Sequence, residues 1–188
     1  MRKIKIFFVI GLATLVAGCN PSLNPLYTEK DLVFEPALVG AWAYENEEEV
    51  TWECKKSGEK SYELVFTEKG KAPATFEGHL VQLKKYLFLD IYPAAAAIKD
   101  NAYEDHLIRS HTFYRIWIEG DSVRLAGLNP EWLQDMSAKK KVKLHFERLP
   151  DGMVLTASTQ ELQEFVLKYA DDPEVFSKSN TVELHRMK

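Results

Sequence analysis

From Val50 to Leu184 apolar side chains recur at every second position, and the runs are cut at short intervals by residues that turn the chain. Val50, Trp52 and Cys54 fall on one face of an extended segment, with Thr51 and Glu53 on the other. Tyr62, Leu64 and Phe66 repeat the pattern, as do Ala74, Phe76, Gly78 and Leu80, then Thr112, Tyr114, Ile116 and Ile118. Val123 with Leu125, the set Val142, Leu144 and Phe146, the segment around Val154, and Val182 with Leu184 complete the series. A period of two places alternate residues on opposite faces of a strand, which is the signature of a sheet with one face buried. The turns at 56–59, 68–70, 119–122 and 150–152 are short and rich in Gly, Asp and Ser, residue types that accept hairpin geometry. The spacing predicts nine or ten strands in an antiparallel meander, hence a mainly β fold. A barrel or a strongly curved sheet protects the edges of such a meander.

Two or three short helices interrupt the strands. Asn129-Pro130 reads as an N-cap followed by proline in the first helical position. Ser158-Thr159-Gln160-Glu161 is a capping box, and Leu162, Phe165, Val166 and Tyr169 then form one apolar face before Asp171-Asp172-Pro173 stops the helix. This helix stands before the last strand. Ala94 to about Ile108 predicts a third, with a sparse stripe of Ile98, Tyr103 and Leu107.

The first residues follow neither pattern. Arg2, Lys3 and Lys5 precede an almost unbroken apolar run from Ile6 to Val16. That run is shorter than the roughly 20 residues a membrane-spanning helix needs, and it matches the hydrophobic core of a secretory signal. Leu15-Val16-Ala17-Gly18-Cys19 resembles the bacterial lipobox, in which small residues at the cut precede an obligatory cysteine. The resemblance implies diacylglycerol on the Cys19 thiol, cleavage before Cys19 and acylation of the new amino terminus. Residues 1–18 are then a signal peptide, residues 19–29 a Pro/Asn/Ser-containing tether, and residues 30–188 one β-rich domain. Asn20, where aspartate is the usual inner-membrane retention signal in enteric-type bacteria, favours the outer membrane, facing the periplasm. The implied partner is a membrane, held through the lipid.

Composition narrows the functional classes. The chain carries 24 Lys+Arg against 28 Asp+Glu, a formal charge of −4, and removal of Arg2, Lys3 and Lys5 makes it more acidic. No bulk attraction to nucleic acid follows from that balance. With Cys19 committed to lipid, Cys54 has no partner for an internal disulfide and reads as a buried apolar residue.

Leu38-Val39-Gly40-Ala41-Trp42 resembles the Gly-x-Trp motif on the first strand of the lipocalins and other calycins. That resemblance implies a tryptophan packed across the closed end of a barrel and a late arginine on it, for which Arg186 and Arg148 qualify by position. It also implies an apolar cavity, for which Trp42, Trp52, Tyr62, Phe88, Tyr114 and Trp117 are the candidate lining residues. A filled core is the competing reading of the same aromatics.

Catalytic signals are sparse. Gly120-Asp121-Ser122 has the look of a GDSL-type hydrolase block but falls at a hairpin tip. His106 and His111, with Asp90, form the candidate polar site. No His-x-x-x-His or Cys-x-x-Cys spacing is present, so no metal or other cofactor is expected. Lys139, Lys140, Lys141 and Lys143 read as a solvated helix end, with contact to anionic headgroups as the alternative. The sequence therefore points to a lipid-anchored, non-catalytic envelope module that binds an apolar small molecule in its barrel. The alternative is a structural or assembly lipoprotein that binds an envelope protein, with a hydrolase less favoured.

Overall fold

The computed structural model describes residues 20–44, 47–95, 106–150, 152–176 and 181–188. Among them are eleven strands and two α-helices. β1 (Leu32–Val33) is followed by β2 (Gly40–Tyr44), β3 (Glu47–Lys56), β4 (Tyr62–Glu68), β5 (Ala74–Leu83) and β6 (Tyr86–Pro93). After β7 (Thr112–Glu119) and β8 (Ser122–Gly127) come α1 (Pro130–Ala138), β9 (Phe146–Leu149), β10 (Gly152–Leu155), α2 (Thr159–Tyr169) and β11 (Thr181–Arg186).

β2 to β8 form the expected meander, every neighbouring pair antiparallel. β11 then inserts between β8 and β2, and with the β5–β6 pairing this closes an eight-stranded barrel. β1 extends the line of β4 by pairing with the far end of β5. β9 and β10 form a separate hairpin outside the barrel.

The alternation builds two cores from one sheet. Inward residues, among them Trp42, Cys54, Leu64, Leu80, Leu89, Ile116, Leu125 and Leu184, pack inside the barrel. Outward residues of β5 to β8 (Val81, Leu83, Phe88, Phe113, Ala126) pack against Leu133 of α1, Leu162, Phe165 and Val166 of α2, and Met153 and Leu155 of β10. The helices thus cover one side of the barrel. This explains why Tyr86–Tyr92 is largely apolar instead of alternating: that strand is buried on both faces.

Both capped helices begin where the sequence places them. Asn129 Oδ1 accepts from the amides of Glu131 and Trp132, and Ser158 and Glu161 form the reciprocal capping box. Two readings need correction. Val142 and Leu144 belong to no strand; the strand starts at Phe146, and both side chains are instead buried in the outer core. The expected helix at 94–108 lies mostly outside the described residues; of those described, 95 and 106 are in 3-10 conformation and 94, 107 and 108 have no regular structure.

The tether is the larger correction. Asn20 is 6% exposed, and Ser22 and Leu26 are wholly buried. Ser22 exchanges backbone hydrogen bonds with His111, the Leu155 amide donates to Pro21 O, and Leu23 donates to Leu155 O. Asn20 Nδ2 donates to Leu128 O at 3.1 Å. The segment finds partners for its backbone in the gap between β7 and β10, which a free spacer would leave to water. The folded domain therefore includes Asn20 and the residues after it, not only those from 30 onward.

Candidate functional site

The barrel interior is lined by apolar and aromatic side chains. Trp42, Trp52 and Tyr114 do line its central space, together with Cys54, Leu64 and other aliphatic residues. Tyr62 lies in the same inner core, where its hydroxyl accepts from the Glu35 amide at 2.7 Å and donates to Glu35 O at 3.2 Å. Phe88 and Trp117 are on the opposite face of their strands, because the period of two that puts Leu87, Leu89 and Ile116 inside puts these two outside. Phe88 is in the outer core, and Trp117 stands between the guanidinium groups of Arg115 and Arg124, each 4.5 Å from its ring.

The interior is filled. The cavity amounts to about 30 Å³, space for about one or two water molecules. Part of the reason is local: beside Gly78, whose register partner is Tyr62, the Leu64 side chain occupies the space a Cβ would take, at 2.8 Å. Burial pushes the Cys54 thiol up to about 12, so it is neutral and unreactive inside.

One end of the barrel is clasped by Arg186. Its guanidinium carbon lies 4.3 Å from the Trp42 ring centre, Nη1 donates to Val39 O and Nη2 to Ala37 O, and Nε meets Asp121 at 3.2 Å. Gly40 allows this approach: a Cβ there would fall 2.3 Å from Nη1. Trp42 Nε1 donates to Leu38 O at 2.9 Å, tying the same strap of 36–39 across the barrel end.

The candidate polar site assembles in part. His111 Nδ1 lies 2.8 Å from Asp90 Oδ1, and Asp90 Oδ2 accepts from the Leu26 amide at 2.8 Å. Asp90 is fully buried. His106 is exposed and, among the described residues, joins neither group. Three aromatic groups complete the cluster. Tyr92 packs on His111 with ring centres 4.5 Å apart, and Tyr27 packs on His79 at 4.6 Å and meets His111 edge-on at 6.3 Å. His79 is the register partner of Asp90 across β5–β6, and its buried Nδ1 has no hydrogen-bond partner. Burial lowers the His79 imidazole below its ordinary 6.5, against the smaller opposing pull of Asp90 and Glu77. Burial, followed by the charge of Asp90, pushes the Tyr27 phenol up to about 12.

An aspartate–histidine pair fixes the imidazole as it does in catalytic triads, but such a triad also needs a nucleophile. Among the described residues no hydroxyl or thiol hydrogen-bonds His111. Ser22 Oγ donates to Asn24 O and accepts from the Asn24 amide instead. No group of three metal-ligating side chains converges among the described residues. The arrangement acts as a clasp: one buried carboxylate holds the N-terminal segment at Leu26 and the start of β7 at His111.

His79, Tyr27 and Tyr92 are the site residues that sequence reasoning missed. The signal was the pair Lys84-Lys85 between two apolar runs, a two-residue hairpin that sets His79 opposite Asp90. Lys84 adopts φ 55° there without being glycine. The basic run behaves differently again. Lys140, Lys141 and Lys143 face Lys168, Glu161 and Glu164 across an open groove of about 470 Å³ beside α2.

No family model, curated protein or solved structure matches the chain.

Proposed function

We propose that the chain is a lipid-anchored envelope protein, acylated at Cys19, whose outer surface binds another envelope protein without catalysing a reaction. The observation that carries the binding half is the filled barrel: a 30 Å³ cavity has no room for a small ligand, whose sites usually run to about 300–1,000 Å³. The outer face supplies recognition chemistry instead. Lys85, Tyr86, Arg115, Trp117 and Arg124 form a continuous ladder of cations over aromatic rings, with centroid distances of 4.5–5.0 Å. Asp171 braces it through Tyr86 Oη and Arg115. Tryptophan, tyrosine and arginine are the types that dominate binding energy at protein interfaces. The anchoring half rests on the lipobox resemblance at 15–19, with outer-membrane sorting favoured by Asn20. The Arg186–Trp42–Gly40 clasp supports the calycin-like reading of the barrel.

Two measurements test this. The intact mass of the chain extracted from envelopes should equal that of a chain starting at Cys19 plus acyl groups, and Cys19→Ser should leave the precursor uncut. A photo-crosslinking side chain at Arg124 should give one discrete adduct in envelopes, and the same group at Lys60 none. A stoichiometric small molecule retained in native mass spectrometry would sink the surface-binding reading.

A further inference from the structure

The docked N-terminal segment fixes how an anchored molecule meets its membrane. Asn20 is 6% exposed and hydrogen-bonded to Leu128 O, so only Cys19 separates the lipid from the folded surface. One residue spans about 3.8 Å between Cα atoms. An acylated Cys19 can keep its chains in the bilayer only if the surface around Asn20 touches the headgroups.

That surface has the chemistry for it. Leu23, Leu107 and Ile108 are 43%, 52% and 79% exposed, three of the five large apolar side chains exposed among the described residues. The antiparallel Ser22–His111 pairing brings together the two short segments that carry them: Leu23 follows Ser22, and Leu107 and Ile108 precede His111 by four and three residues. Arg109 lies next to Ile108, its guanidinium 5.1 Å from the Tyr92 ring and bonded to Pro93 O. Apolar side chains flanked by tyrosine and arginine are what an interfacial segment presents to headgroups and the first acyl carbons.

We propose that this patch, Leu23, Leu107 and Ile108 with Arg109 and Tyr92, rests in the interface of the anchoring bilayer, so that the domain sits flush on the membrane. The proposal depends on acylation of Cys19 and specifies the orientation that acylation produces. The Trp117–Arg124 rung lies four residues along β8 from Leu128, about 13 Å farther from the anchor point. The cation–aromatic ladder is thus held off the membrane, on the side open to a partner.

The test uses the full chain, processed in cells, purified and reconstituted into vesicles of phosphatidylethanolamine and phosphatidylglycerol. Single cysteines replace Ile108 and, as a control on the hairpin at the other barrel end, Lys60, each in a Cys54→Ala background and carrying an environment-sensitive fluorophore. Brominated acyl chains should quench the label at 108 several-fold more than the label at 60, and its emission should shift to the blue. A lipidated protein whose two labels are quenched alike, and only by aqueous iodide, overturns flush seating while leaving the anchor intact. A Cys19 found without lipid by mass overturns the anchor, and the seating with it. Because the label at 108 lies on an exposed loop, far-ultraviolet circular dichroism of each variant should match the parent.

Discussion

The guanidinium of Arg186, on the last strand, stands 4.3 Å from the ring of Trp42, on the strand it pairs with to close the barrel. It also donates to two carbonyls of the strap at 37–39. Arg186→Ala removes a cation–π contact and two charge-assisted hydrogen bonds, an expected loss of about 2–4 kcal/mol in urea unfolding. Lysine lacks the planar fork, so Arg186→Lys should restore less than half of it. Gly40→Ala should cost about 1–3 kcal/mol through a different route, since φ is +147° and the new Cβ meets Nη1.

Asp90 should behave as a clasp. Asp90→Ala leaves the Leu26 amide and His111 without their buried acceptor, at an expected cost of about 3–5 kcal/mol. Asp90→Asn keeps one acceptor and should cost less. Hydrogen exchange gives the sharper readout: the Leu26 amide should lose protection in Asp90→Ala far more than amides of β3 do. Retained protection at Leu26 would show that the segment is held by its other contacts alone.

His79 predicts a pH dependence. Its folded pKa lies below the ordinary 6.5, so between these two values the unfolded chain binds more protons. Stability from this group is therefore fully present above about pH 6.5 and is lost as the pH falls through the folded value. His79→Gln should flatten the stability curve across that window and leave it unchanged above pH 7. An NMR titration of the His79 ring below the random-coil value checks the direction independently.

The barrel core offers a prediction about ligands. The native protein should bind neither benzene nor xenon. Leu64, 3% exposed beside Gly78, fills space that Leu64→Ala would open, at about 2–5 kcal/mol of stability. That variant should take up an apolar guest, detected by calorimetry or a shift in melting temperature. Uptake by the parent protein would mean that the interior opens readily.

The strand pattern and both helix caps were legible because each is local: alternation, a capping box and a proline are written within a few residues. Phe88 and Trp117 were misplaced for a physical reason. In a strand buried on both faces, hydrophobicity no longer tells inside from outside, and the outer core contributed by the helices cannot be inferred from β6 and β7 alone. The docking of 20–26 was hidden in the same way. Its prolines and polar side chains read as a solvated spacer, yet their partners Leu128, His111 and Leu155 lie far along the chain. Asp90 and His111 were named together, but His106 was included on sequence proximity, and His79 was missed because its tie to Asp90 runs through a hairpin of two lysines.

The closure of the sheet by β11 has a consequence for the timing of folding. β2 and β8 receive their second neighbour only when residues 181–186 are in place, so a folding sheet that has formed β2 to β8 carries two unpaired edges until the last strand docks. Pairings this distant in sequence form slowly, and open edges recruit strands from other chains. The barrel must therefore be completed after Arg186 has been made, and a truncation that removes β11 should yield aggregates in place of a shorter folded domain.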